Sequence, residues 1–415
     1  MALRFALALV LGTAITAILS LHDAADAKAI LLYKFKGGTD GDTPMGPLIA
    51  DAAGNLYGTT SYGGGAGVGT VFSLSPGNGG SWTETVLHAF NGTDGSYPNG
   101  GLFLDANGNL YGTTFGGGPG RGGVAFELSP AKNGTWIYSQ IDNFGNAGSS
   151  GGSEPNGSLV SDGAGNLYGT TLLGGSGTCS NFPGPCGVVF ELSPGGQGTW
   201  TETVLYSFAG VPDGEFPAAG VVLDAGGRVY GSTSQGGTGK CNDGEGTIIG
   251  CGTVFSLQQQ GSAWSETQLY NFRKNEQGEP GGAPLVFSGN GALFGTAGYD
   301  VFRLKPPRSG TNWTKQTIYE FTEGIAGTIP SGGPAFDTHG RLYLTTASSG
   351  LDGFSTASQL SPPTIQGDPW TQKTLAQFGG DFKANQPRGG LLVAGDGTLY
   401  GTVSGSPGYI FAIQR

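Results

Sequence analysis

Each of the six tryptophans in this chain is followed eight residues later by a phenylalanine: Trp82/Phe90, Trp136/Phe144, Trp200/Phe208, Trp264/Phe272, Trp313/Phe321 and Trp370/Phe378. A mark that regular is an internal repeat, and a repeat of this size means units that cannot bury their apolar faces alone. A second mark, of the form DxxGNLYGTT, runs from Asp51 to Thr60, Asp105 to Thr114, Asp162 to Thr171, Asp224 to Thr233, Ser288 to Ala297, Asp337 to Thr346 and Ala394 to Val403. Seven such segments stand against six Trp/Phe pairs, at spacings of about 50 to 64 residues, and the variation falls in glycine-rich connections.

Within the copy at 100–144, four short runs have strand character: GLFLD, NLYGTT, GVAFELS and WIYSQIDNF. Asp105-Ala-Asn-Gly108 suits a tight hairpin, because the aspartate can bond backbone amides and the glycine can take positive φ. SPAKNGT supplies the Pro and Gly that end one strand and turn into the next. Four antiparallel strands repeated at this period make a β-propeller blade, whose faces must be covered by its neighbours. The chain ends fit together on the same scheme. AILLYKF matches the end of a fourth strand, with Phe35 in the place of Phe90, and YIFAIQR matches a third. The expected fold is therefore all-β, a seven-bladed propeller of four-stranded antiparallel blades. Its last blade (389–415) is closed by the N-terminal strand 29–35, within one domain spanning 28–415.

Residues 1–27 carry one early cation, Arg4, an apolar run from Phe5 to Leu19 and small residues ending in Ala25-Asp26-Ala27. This pattern predicts a signal peptide that is removed; the run is short for a membrane span. A soluble, secreted (extracellular or periplasmic) monomer follows. Glycine, at 83 of 415 residues, falls in pairs and triplets with no period of three, which excludes a collagen-like chain. The net charge of −11 and the scattered Lys and Arg leave no basic stripe, so neither nucleic acid nor membrane is an expected partner. Cys179 and Cys186 flank SNFPGP, and Cys241 and Cys251 flank NDGEGTIIG, in the same place of successive repeats. Local disulfides are the simplest pairing, worth about 2.5–3 kcal/mol each on a chain-entropy view. A metal site is the rival, but no histidine lies near either pair and the spacings suit zinc poorly. No metal and no cofactor are expected.

The GNLYGTT…GTVFSLSP…WTETVLHAF pattern resembles the GloVer-type tandem repeat of secreted bacterial proteins and, more distantly, the propeller repeats of two-component sensor ectodomains. The resemblance covers nearly the whole chain after residue 27. It implies a propeller outside a bacterial cell, and it brings no catalytic residue with it. A C-terminal sorting anchor, found in many such proteins, is not expected here.

Most of the conspicuous residues have architectural work. The hairpin aspartates Asp51, Asp105, Asp162, Asp224 and Asp337 are expected to form turns. The column Tyr57, Tyr111, Tyr168, Tyr230, Phe294, Tyr343 and Tyr400 and the column Phe72, Phe126, Phe190, Phe255, Phe302 and Phe411 are expected to pack between blades. The sixth repeat breaks the neighbourhood of both columns, with Leu344 where the others have Gly and Ser358 where they have Phe, which marks it as looser or specialised. His88 and His339 offer no catalytic constellation, and no nucleophile elbow, P-loop or zinc signature is present.

Ligands of a propeller usually sit at the channel mouth, on the face shared by the links from outer to next inner strand and from second to third strand. Here those links carry Tyr62, Tyr97, Phe115, Phe182, Phe216, Tyr299, Phe354 and Phe382, and the acidic Asp40, Asp42, Asp94, Asp213, Glu215, Glu279 and Asp381. The position just before each inner strand is held by Met45, Asn99, Asn156, Ala218, Gly282, Ser331 and Arg388. Arg388, Asn99, Asn156 and Ser331 are thus the candidate polar contacts for an anionic or polyhydroxylated ligand. A non-catalytic binding module for an extracellular glycan or protein is the expected function. The alternative is a secreted polysaccharide hydrolase or lyase with loop carboxylates such as Asp94 and Asp213 as acid and base.

Overall fold

The computed structural model describes residues 28–180, 182–242, 246–274, 276, 282–308, 313–321, 329–347, 355–365, 367–378 and 386–415. The expected signal peptide, Glu279, Phe354, Asp381 and Phe382 lie outside the described residues. Among the described residues, seven blade sheets form, each a meander of four antiparallel strands, two with a fifth short strand. Blade 1 is typical: Ile49–Ala50, Leu56–Thr60, Thr70–Pro76 and Trp82–Ala89, from axis to rim. Blade 7 is completed from the other end of the chain, where Lys28–Lys34 pairs with Tyr409–Gln414 in a register running from Lys28↔Gln414 to Lys34↔Tyr409. The seam read from the sequence is therefore a ladder of backbone hydrogen bonds, which leaves the ring without an open edge.

What the repeat encodes is the junction between blades. Five of the six outer-strand tryptophans touch the tyrosine or phenylalanine ring of the blade before them: Trp136 on Tyr57, Trp200 on Tyr111, Trp313 on Tyr230, Trp370 on Phe294, and Trp82 on Tyr400 across the seam; Trp264 packs against the core cluster that holds Tyr168. The phenylalanine eight residues later reaches the blade after it: Phe90 on Phe126, Phe144 on Phe190, Phe208 on Phe255, Phe272 on Phe302, Phe378 on Phe411, and Phe35 on Phe72. One strand thus clamps both neighbours. These phenylalanines are all almost fully buried, and each contributes about 1.5–3 kcal/mol by burial alone.

The second strand explains the rest of the motif. The hairpin aspartate accepts backbone amides within its own turn and the hydroxyl of the tyrosine six residues on; at Asp51 the donors are Ala53, Asn55 and Tyr57. Burial works to raise the Asp51 pKa, but those hydrogen bonds outweigh it and hold the carboxyl below its usual range. The glycine of YGTT lies under the third-strand phenylalanine: a Cβ on Gly58 would come within 2.7 Å of the Phe72 ring. The first threonine donates to an axial carbonyl of the next blade, as Thr59 does to Gly100 and Thr402 to Gly46 across the seam. The second threonine bonds within its own loop, as Thr60 does to the Tyr62 carbonyl.

Among its described residues, blade 6 is closed at the two substituted positions. Leu344 and Ser358 are paired directly across the second and third strands, and both are fully buried. They are the counterparts of Gly58 and Phe72, which are likewise paired. The volume missing at Ser358 is supplied from the facing strand by Leu344, a large-for-small exchange that keeps the junction filled. Leu344→Gly alone should cost about 3 kcal/mol through the cavity it opens, and Ser358→Phe alone should overpack the site. The double variant should recover most of both losses in urea unfolding, because the two changes restore the pair used elsewhere in the ring.

Candidate functional site

The two sets of links expected to share a face do so, because they hydrogen-bond to each other. Among the described residues, the link into the inner strand of every blade but the fifth pairs with the segment between second and third strands, as in Asp42↔Tyr62, Ser96↔Gly116 and Gln386↔Ser404. Around the axis on this face, Met45, Asn99, Asn156, Ala218, Gly282, Ser331 and Arg388, one from every blade, line a single cavity of about 550 Å³. The residue after each is usually glycine, for a reason the sequence alone did not expose. A Cβ on Gly46 would lie 2.7 Å from the Gly100 carbonyl oxygen, one on Gly100 2.8 Å from that of Gly157, and one on Gly389 2.5 Å from that of Gly46. Backbones of adjacent blades therefore touch at the axis, and the mouth residues stand on that collar. The recurring proline before the mouth residue, as in Pro98-Asn99-Gly100 and Pro387-Arg388-Gly389, was its signal.

The four polar candidates differ in what they have left to offer. Asn99 accepts from the Ser61 hydroxyl at 2.8 Å and donates to Asn156 at 3.3 Å, and Asn156 donates on to the Ala218 carbonyl. Ser331 donates to the Pro387 carbonyl and lies 3.3 Å from the Thr345 hydroxyl. These three are linked to neighbouring blades through part of their hydrogen-bonding capacity. Arg388 is exposed, its one hydrogen bond among the described residues is a long one of 3.5 Å to Gln386, and no carboxylate pairs with it there. It is also the only charged residue of the cavity wall among the described residues.

The acidic loop residues expected to reach this face, where the structure describes them, are held within their own loops or to a neighbouring one. Asp40 accepts from Tyr33 and the Lys36 amide, and Asp213 from Tyr206 and the Ala209 amide. Asp94 accepts from Asn91 and lies 3.1 Å from Nε2 of His88. Asp42 is bonded to Thr43 and Ser406. Glu215 is fully buried, holding the amides of Ser180 and Val211 and the Ser180 hydroxyl. Asp94 and Asp213 are thus turn-forming groups in separate loops, not an acid and base facing one groove. Both disulfides form as expected, Cys179–Cys186 and Cys241–Cys251, with Cα separations of 5.2 and 5.0 Å. The first lies beside Glu215, but disulfide sulfur carries no thiolate to bind a metal. His339 sits in the Asp337 hairpin, away from the mouth.

Perturbed carboxyls do occur, at the blade junctions. Burial first, and then the nearby Asp40, push Glu84 up to about 7, helped by a hydrogen bond between the two carboxyls. Burial and Asp142 do the same to Glu202, and burial and Asp213 to Glu266, each to about 7. The three glutamates hold one repeat position, two residues after the tryptophan. At that position blade 5 has Lys315, 4.0 Å from Glu276 and 3.7 Å from Asp300. None of these three glutamates lines the mouth cavity.

A family model described as the Gloeobacter/Verrucomicrobia repeat matches residues 17–249. No curated protein matches the chain. Among solved structures, the chain is similar to the extracellular domain of a B. thetaiotaomicron protein assigned to the one-component systems. That match has 14% identity and a TM-score of 0.54, covering 94% of this chain and 42% of that one. It is similar to YCF48 bound to D1 peptide, with 14% identity and a TM-score of 0.52, covering 95% and 98% of the two chains. It is also similar to a protein from Lactobacillus plantarum, with 13% identity and a TM-score of 0.51, covering 94% and 100%. At these identities the likeness is one of fold. Among the described residues no helix is long and apolar enough to cross a membrane.

The junction glutamates set the pH dependence of stability. A carboxyl with a folded pKa near 7 and an unfolded value near 4.5 binds more protons in the fold, so its contribution is complete below about 4.5 and is lost as pH rises through about 7. His88, whose pKa burial lowers, works in the opposite sense but is a single group. Tm should therefore be higher at pH 5 than at pH 8. The triple variant Glu84→Gln/Glu202→Gln/Glu266→Gln should flatten that difference in thermal melts across this range.

Proposed function

The chain belongs to the Gloeobacter/Verrucomicrobia repeat family, and we propose that it is a secreted, monomeric, non-catalytic binding module that holds an extracellular glycan at the channel mouth. The observation that carries this reading is the convergence of one residue from each of seven blades on a cavity of about 550 Å³, within the size range of small-ligand sites. Ala218, Gly282 and the collar glycines keep the opening wide, and Arg388 places on its wall a guanidinium that no carboxylate pairs with among the described residues. A planar fork of donors suits a carboxylate or sulfate group, so an acidic glycan is the favoured ligand. The carboxamides of Asn99 and Asn156 retain capacity for hydroxyl groups beside it.

Secretion is supported by the pattern of residues 1–27 and by the two disulfides, which persist in oxidising compartments. The hydrolase or lyase reading needs two carboxyl groups facing the ligand, and the cavity wall contributes none among the described residues. The test is affinity electrophoresis of residues 28–415 through gels containing neutral or acidic polysaccharides, with reducing ends assayed in parallel. Retention by an acidic polysaccharide without release of reducing ends is expected, and Arg388→Ala should weaken it about tenfold, the value of one charge-assisted hydrogen bond. Equal retention of Arg388→Ala, or depolymerisation, would overturn the proposal; capture by a protein fraction with no polysaccharide retained would replace the glycan with a protein partner.

A further inference from the structure

Wherever this backbone turns left-handed it almost always uses glycine. Among the described residues 37 glycines have positive φ, against six other residues: Thr43, Tyr97, Arg121, Glu154, Gln197 and Phe216. Four of these six, Thr43, Tyr97, Glu154 and Phe216, hold one repeat position, immediately before the proline that precedes a mouth residue, with φ of 57° to 61°. A side chain there is strained where glycine would not be, and the following proline crowds it further. The backbone work at this position needs no side chain. Tyr97 joins blades 1 and 2 by donating its amide to the Val68 carbonyl and accepting at its own carbonyl from Phe115, and Phe216 joins blades 3 and 4 through Cys186 and Ser234 in the same way. A chain so rich in glycine keeps Tyr, Glu and Phe at these sites.

The conformation also decides where the side chains lie. Ile329 and Gln386 hold the same repeat position without positive φ, and both line the cavity. None of the four left-handed residues does, and Phe216 packs in part against the hydrophobic core that holds Cys179 and Cys186. Tyr97 meets Tyr62, with ring centroids 5.4 Å apart and the residues 36% and 49% exposed. Phe216 meets Phe182 at 6.2 Å, with Phe182 37% exposed. Phe182 rides on the loop closed by Cys179–Cys186, which buried Glu215 anchors through Ser180. Between the two ring pairs in blade order stands Glu154, half-buried, with no hydrogen bond or ion pair to its carboxyl among the described residues.

We propose that Tyr62/Tyr97 and Phe182/Phe216 are two stacking platforms of a saccharide track across blades 1 to 4, and that Glu154 accepts sugar hydroxyls between them. The apolar C–H face of a pyranose meets the electron-rich face of an aromatic ring, while its equatorial hydroxyls need an acceptor at the edge. Ring pair, free carboxyl and ring pair in succession fit a polymer that repeats both features. A protein contact would gain little from a half-buried, unpaired carboxyl set between the rings. This inference rests on the glycan reading of the mouth and extends it outward from Arg388.

The test is isothermal titration of residues 28–415 with cello-, xylo-, manno- and galacturono-hexaose, using Tyr97→Gly, Glu154→Gly and Arg388→Ala. At least one hexaose should bind, and Tyr97→Gly and Glu154→Gly should each weaken it about tenfold. Because both substitutions relieve the left-handed strain, Tm should stay unchanged or rise; a purely structural side chain would instead lower it on removal. Wild-type affinity in both glycine variants overturns the track, as does failure of every hexaose to bind. Loss in Arg388→Ala with wild-type affinity in the glycine variants leaves the mouth reading standing without the track. The converse result leaves the track without the mouth.

Discussion

Gly58 lies so close beneath Phe72 that a Cβ would sit 2.7 Å from the ring, and Gly112, Gly169, Gly231, Gly295 and Gly401 stand under their own phenylalanines at 2.5 to 2.7 Å. That contact lets the third-strand ring lie flat over its own sheet while its other face remains open to the outer-strand phenylalanine of the preceding blade. The tryptophan at the start of the same outer strand returns the contact in the other direction. A four-stranded sheet of this size has two apolar faces and no core of its own, so each blade is stable only between two others. Blade 6 shows that the constraint is on volume and not on residue identity, since Leu344 and Ser358 satisfy it with the sizes reversed.

The architecture was legible because its marks recur. A residue needed at every junction appears at every repeat, so Trp/Phe pairs and YGTT segments could be aligned, and the deficit of one Trp located the seam at Phe35. The mouth positions were legible for the same reason, being fixed by their distance from the inner strand. What escaped reading depends on contacts between repeats. Leu344 and Ser358 could be seen as departures but not as partners, because the register of second and third strands is set by the hairpin geometry between them. The axial collar is a contact of glycine with glycine and has no side chain to announce it. Glu215 reads as one more loop carboxylate, and only the fold shows it buried under Ser180 and Val211.

Charge follows the same logic of junctions. A chain of net charge −11 brings carboxyls together where an outer-strand glutamate faces an aspartate of a neighbouring strand or link, and three junctions share that composition: Glu84 with Asp40, Glu202 with Asp142, Glu266 with Asp213. Like charges at such range cannot both ionise cheaply. The fold meets this in two ways, with the pKa of these three glutamates pushed up to about 7 and with the ammonium of Lys315 beside Glu276 and Asp300 in blade 5. At the junction of blades 1 and 2 the repeat position is Tyr138, which stacks on His88 at 4.3 Å and donates to the Asp94 carbonyl, so no acid pair arises.

A ring of near-identical blades has no preferred direction, so any ligand it discriminates must be recognised by departures from the repeat. The departures on the mouth face divide it. On the side of blades 6 and 7 the residues before the prolines, Ile329 and Gln386, enter the cavity wall and Arg388 adds the charge. From the seam through blade 4 the equivalent residues are left-handed and absent from that wall, and the ring pairs and Glu154 occupy the surface outside it. One change of φ sign, repeated four times, converts a symmetric mouth into a cavity with a charged side and an aromatic approach. Strain carried at successive junctions persists because the collar and the aromatic clamps on either side fix the backbone that bears it.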